Sequence, residues 1–132
     1  MDHTSPRPLT YKNLDAWRLA RNLVIEVYRL TDLDALRGSR SLCDQMQRSA
    51  ISVPSNIAEG DERGTNRDAL RFLYVSKGSL AELRTQLDIA QATGRISRAD
   101  YEAAEALADR VARLLSGMIK RRLDKERGAS PG

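Results

Sequence analysis

The chain has 132 residues, 41% of them apolar and 30% charged, with a formal net charge of +4, which makes one domain with a single core and excludes disordered and fibrous classes. No apolar run approaches the roughly 18 residues of a bilayer crossing, and the opening MDHTSPRPLTYK holds no apolar stretch of a secretory signal, so the cytoplasm is the expected location. Cys43 is the sole cysteine, which excludes an intrachain disulfide.

Residues 1–12 contain two prolines and the only histidine, His3, and read as a flexible N-terminal arm. No second metal-type ligand lies near His3. From Asn13 the pattern turns helical: Trp17, Ala20, Val24 and Val27 recur at helical spacing, predicting a first helix over about 14–31. Asn13 reads as its N-cap, Asp15 as the favoured negative charge in its first turn, and Trp17 as a core anchor. The stretch DLDALRGSR, 32–40, is a connection. A second helix is expected over 42–59, with Ser41 and Asp44 at capping-box spacing and Leu42, Met46, Ser49, Val53 and Ile57 on one face. Pro54 lies inside it, where a proline costs roughly 3 kcal/mol and leaves the Ala50 carbonyl without its normal donor.

After the turn DERG, Thr65 and Asp68 repeat the capping spacing and open the longest helix, 66–93. Its apolar seam is clean: Ala69, Leu73, Ser76, Leu80, Leu83, Leu87 and Ala90 alternate by four and three. Leu70, Phe72, Tyr74, Val75, Ala81 and Ile89 lie off that seam and predict a second buried face, which one bundle core does not require. Gly94 fits the residue that ends a helix in the left-handed region. The pair Gly78-Ser79 in mid-helix predicts a close backbone approach by the kinked part of the second helix. Asn56, Glu59, Ser79 and Glu82 would then form a polar network between the two. Ser97 and Asp100 start the fourth helix, 98–123, on Tyr101, Ala104, Ala108, Val111, Leu115 and Met118.

No alternating strand pattern competes with these four segments. The predicted fold is an all-α, antiparallel up-down-up-down four-helix bundle over 13–123, followed by a flexible basic C-terminal tail, 124–132. Enzyme constellations are missing. Ser49, Ser52 and Ser55 lack a histidine base, Cys43 lacks a partner, and no Glu-x-x-His pair is present. Glu59 and Glu82 are the one conceivable carboxylate dyad, and no glycines have phosphate-loop spacing. The expectation is a non-enzymatic protein with no catalytic residues, no metal and no cofactor.

Charge is unevenly spread. Residues 32–109 carry ten basic and thirteen acidic side chains, whereas 110–132 carry seven basic and two acidic ones. Arginine outnumbers lysine eighteen to four. A basic end can attract nucleic acid or an acidic partner, although a helix C-terminus also favours cations by itself. The candidate nucleic-acid contacts are Lys120, Arg121, Arg122, Lys125 and Arg127, with Arg110 and Arg113 behind them.

Gln45, Arg48, the run from Ser52 through Pro54, Asn56 and Glu59 to Gly60, and then Gly78-Ser79-Leu80 with Glu82 carry a family resemblance. Together they resemble the signature of the four-helix-bundle protein family, also called the intervening-sequence proteins of large-subunit ribosomal RNA genes. The likeness runs from about Leu14 to Leu123. Ser76 departs from it by adding a hydroxyl at a seam position. The resemblance implies an antiparallel bundle that assembles as a cyclic homopentamer, which would account for the second apolar face of the third helix. One relative, the accessory variability determinant of diversity-generating retroelements, forms a basic pentamer that binds nucleic acid and a reverse transcriptase.

The leading expectation is thus a homo-oligomeric, pentameric scaffold that binds RNA or DNA through its basic surface. The alternative is a protein-only adaptor for a partner such as a reverse transcriptase. A third reading is a bundle that holds a small ligand at the proline kink.

Overall fold

The computed structural model describes residues 11–128, apart from the side chain of Asn13. His3, most of the N-terminal arm and residues 129–132 of the tail lie outside the described residues. A 3-10 turn, Tyr11–Asn13, leads into α1 (Asp15–Thr31), a single-turn α2 (Asp34–Arg37), α3 (Arg40–Asp61), α4 (Asn66–Ala92) and α5 (Arg98–Gly128). The four long helices are those expected, and α2 is one turn of helix inside the expected connection. Each packs on two others: α1 on α3 and α5, α4 on α3 and α5. The bundle is therefore a square in the order α1, α3, α4, α5, and α1 and α4 stand on a diagonal. Short links between successive long helices make neighbours antiparallel.

All seven predicted seam positions of α4 are buried, and five of them, Leu73, Leu80, Leu83, Leu87 and Ala90, join Leu23, Val27 and Leu30 of α1, Met46, Val53 and Ile57 of α3, and Ala108, Val111 and Leu115 of α5 in one core. Helix starts were read less uniformly. Thr65 and Ser97 do cap, accepting from the Asp68 and Asp100 amides at 3.2 and 3.0 Å. Asn13 does not: it lies in the 3-10 turn, and Leu14 holds the N-cap position. Ser41 does not cap either, because α3 begins at Arg40 and the Ser41 hydroxyl accepts from the Gln45 amide one turn on, at 3.3 Å. Local capping spacing is satisfied equally well inside a helix, so it cannot choose between two adjacent starts. Gly94 ends α4 with φ +74°, as expected. α5 continues five residues past its expected end, so 124–128 of the expected tail is helix.

Around Pro54 the structure differs from the expectation. A Cβ on Gly78 would meet nothing within 4 Å, and the residue is exposed, so it is no site of close approach between helices of one protomer. That role falls to Gly60, where a Cβ would sit 3.1 Å from the Ala69 carbonyl oxygen and 3.4 Å from the Phe72 Cβ. The polar network is also smaller than expected. Ser52 and Ser79 share a hydroxyl hydrogen bond of 2.7 Å, and the Asn56 amide donates to the Ser52 hydroxyl and carbonyl. Glu59 and Glu82 are exposed; Glu59 pairs with Arg63 at 2.7 Å, and the two glutamates make no dyad. The unexpected seam hydroxyl of Ser76 is wholly buried and donates to the Val53 carbonyl at 2.8 Å, so it is satisfied where it stands.

Trp17 is half-buried and meets Tyr11 edge to face, with ring centroids 5.2 Å apart. Cys43 is buried near the start of α3, its thiol donating to the Leu36 carbonyl at 3.2 Å, and burial pushes its ionisation upward. A thiol kept protonated and enclosed is a poor nucleophile. Alkylation of the native protein by iodoacetamide near pH 8 is expected to run at least about tenfold slower than in denaturant. Equal rates would mean that the α2–α3 junction opens freely.

Candidate nucleic-acid interface

α5 is 31 residues long and changes character along its length. Its N-terminal half is acidic, and its acids are met by arginines from neighbouring helices. Arg29 of α1 donates to Asp100 at 2.8 Å and to Glu26 on its own helix, and these hydrogen bonds hold its pKa above the ordinary arginine value. Arg84 of α4 pairs with Glu105, which raises its pKa likewise. Such cross-helix pairs are partly shielded and help set how α5 lies against α1 and α4.

From Arg110 onward α5 is basic, and the bundle sorts its seven candidate cations four ways. Lys120 and Arg127 project toward α4 and flank Asp124, which pairs with both, at 3.0 and 3.4 Å. Arg122 is tied to the start of α4: its guanidinium donates to the Asn66 side chain at 3.3 Å, while the Asn66 amide donates to the Arg122 carbonyl and to Glu126. Its role is to hold two helix ends together. Arg110, Arg121 and Lys125 make no ion pair or hydrogen bond among the described residues and stand along the side of α5 that faces α1. Arg113 lies beside them and is paired with Asp109 at 2.9 Å.

These side chains border a row of adjoining clefts that form a groove along α5, chiefly against α1. One cleft, of about 610 Å³, is lined by Asp15, Arg18 and Leu19 of α1 and by Arg110, Arg113 and Leu114 of α5. The next two share Leu14, Met118 and Arg121, and the last also has Lys125, Arg122 and Asp61 of α3 in its wall. From Arg110 to Lys125 is fifteen residues, about 22 Å at the helical rise of 1.5 Å per residue. Gly117 sits midway in this stretch, and a Cβ there would meet only the Arg121 guanidinium, at 3.6 Å.

Sequence reading missed Arg18 as part of this surface. It lies ninety-two residues from Arg110, and nothing in its own helix marks it. Only the packing of α1 on α5 brings it to the groove, where it also pairs with Asp15 at 2.9 Å. A second, smaller cavity of about 330 Å³ lies beside the proline kink, between α1 and α3, with Trp17, Arg21, Val24, Ile51 and Pro54 in its wall. Among the described residues no three His, Cys, Asp or Glu side chains gather as a metal site, and no helix is long and apolar enough to cross a membrane.

Comparison with known proteins agrees with this architecture. The family described as 23S rRNA-intervening sequence protein matches residues 12–117. Among solved structures, a protein of unknown function from the S23 ribosomal protein family of Bacteroides thetaiotaomicron has the same fold, with a TM-score of 0.72 at 20% identity. The similarity covers 80% of this chain and 98% of that one. Among curated proteins, none matches.

Proposed function

The chain belongs to the 23S rRNA-intervening sequence protein family, and from that premise we propose that it is a non-enzymatic homo-oligomeric scaffold, of five copies, that binds nucleic acid along the α1/α5 groove. The observation that carries the binding half is the row Arg110, Arg121 and Lys125, three cations with no internal partner along about 22 Å of one groove. Cations already paired within a protein gain little from a phosphate, whereas free ones release the counterions that drive binding. Oligomerisation would repeat this row on every copy. In support of assembly, Tyr74, Val75 and Ile89 are each 44–48% exposed on the outer side of α4, the second apolar face noted in the sequence.

Fluorescence anisotropy with labelled RNA and DNA of about 20 nucleotides tests the reading. Affinity is expected to fall at least about tenfold between 50 and 200 mM salt, because phosphate contacts dominate. Binding that is absent, or indifferent to salt, would remove nucleic acid from the proposal. A second reading, a protein-only adaptor for a partner such as a polymerase, is favoured by the groove floor of Leu14, Leu19, Leu114 and Met118, which suits an apolar helix face better than a phosphate chain. Complex formation with a partner that survives 0.5 M salt would select it.

A further inference from the structure

Four exposed residues of α3 and α4 do little or nothing inside one protomer. Arg48 and Glu82 make no ion pair or hydrogen bond among the described residues. Gly78 faces open space, and Glu59 reaches only Arg63, one turn away on an exposed surface where such a pair contributes little. All four lie on the outward stripes of the adjacent helices α3 and α4.

The two stripes match each other. On α3 the outward residues run Arg48, Ile51, Ser55, Glu59; on α4 they run Arg71, Val75, Gly78, Glu82. In both, an arginine precedes a glutamate by eleven residues, about three helical turns, so each charge pair shares one face. Between the charges, Ile51 is 43% exposed on one stripe and Val75 48% on the other, beside the bare Gly78. Laid antiparallel, the stripes bring Arg48 to Glu82, Ile51 to Gly78, Ser55 to Val75 and Glu59 to Arg71. Laid parallel, they bring Arg48 to Arg71 and Glu59 to Glu82, like charge on like charge.

We infer that α4 of one copy packs antiparallel on α3 of the next, in the register Arg48–Glu82, Ile51–Gly78, Glu59–Arg71. The occupant of each stripe is a second copy of this chain, and the inference rests on the assembly proposed above. A bare glycine lets the helices approach closely, and the Ile51 side chain fills the space it leaves. The register also constrains symmetry. Within one protomer α3 and α4 are antiparallel, so a neighbour's α4 stays antiparallel to α3 only if the symmetry axis runs along the bundle. A two-fold axis across the bundle would reverse the neighbour and give the parallel, repulsive register. Adjacent corners of the square point about 90° apart, the interior angle of a four-membered ring and about 18° short of that of a five-membered one, so the contact closes into a small cycle.

Sedimentation velocity of the full chain, with circular dichroism as a check on folding, tests the register. Arg48→Glu and Glu82→Arg are each expected to weaken assembly at least about a hundredfold while leaving the helical spectrum unchanged, because each sets like charges in contact. The chain that carries both substitutions is expected to assemble again, since the pair is restored with its signs exchanged. Gly78→Gln, harmless inside the protomer, is expected to block assembly by filling the contact. If the wild-type chain assembles but the single reversals do so equally well, or the combined chain is not rescued, the register is wrong and the assembly stands. If the wild-type chain stays monomeric at all concentrations, assembly and register fall together.

Discussion

Replacing Gly60 with leucine is expected to destabilise the fold by about 3 kcal/mol or more, a fall in melting temperature of about 10 °C for a domain of this size. Gly60 is buried where α3 crosses the start of α4, and its absent Cβ would stand 3.1 Å from the Ala69 carbonyl oxygen and 3.6 Å from a Leu73 methyl. Backbone forms much of that wall, so the helices must separate to admit a side chain, and separation loosens the core around Leu73. Gly78 provides the contrast. Gly78→Ala meets nothing within 4 Å and replaces the weakest interior helix former but proline, so the protomer is expected to be as stable as before or up to about 1 kcal/mol more stable. Urea melts of the two variants beside the wild type read the difference directly. Equal losses would contradict the placement of α3 on α4.

Neutralising the unpaired row has the largest expected effect on binding. The combined Arg110→Gln, Arg121→Gln and Lys125→Gln chain is expected to lose nucleic-acid affinity at least about a hundredfold near 0.1 M salt. The slope of log K against log salt should flatten by about three per chain, one unit for each phosphate contact removed. Lys120→Gln with Arg127→Gln is the matched control. Both cations are held by Asp124, so that pair is expected to change affinity less than about threefold. All five side chains are exposed, and none of these substitutions touches the core. An equal effect from the two sets would mean that net charge alone, and no particular groove, attracts the nucleic acid.

How far the sequence reaches can be seen residue by residue. The α4 seam was legible because burial on one helix face imposes a period that no exposed helix keeps, and every position from Ala69 to Ala90 in that pattern is buried. The Thr65 and Ser97 caps were legible because an N-cap needs only a hydroxyl and an amide three residues on. The same rule misplaced the start of α3, where Ser41 meets the spacing from inside the helix.

The two glycines mark where such reading stops. The expected helix over 42–59 stops short of Gly60, and Gly78 is an oddity in mid-helix, yet α3 runs on to Asp61, Gly60 lies against the neighbouring backbone and Gly78 faces outward. Which side of a helix a glycine faces depends on where its neighbours cross, and that is a property of packing.

The seven cations of α5 from Arg110 onward divide in the same way. Their number and order are plain in the sequence, and so is the basic character of that helix end. Their division into a pair held by Asp124, a strut at Asn66, an arginine held by Asp109 and a free row of three facing α1 is not. Charge counting treats all seven as equivalent, because it sees composition and not partners. Four amphipathic helices, one core and a basic end can be read along the chain, since period and composition are local quantities. The tertiary structure alone decided which arginines remain unpaired, which glycine is a contact and which faces are left outward, since each depends on side chains distant in the chain meeting across the bundle.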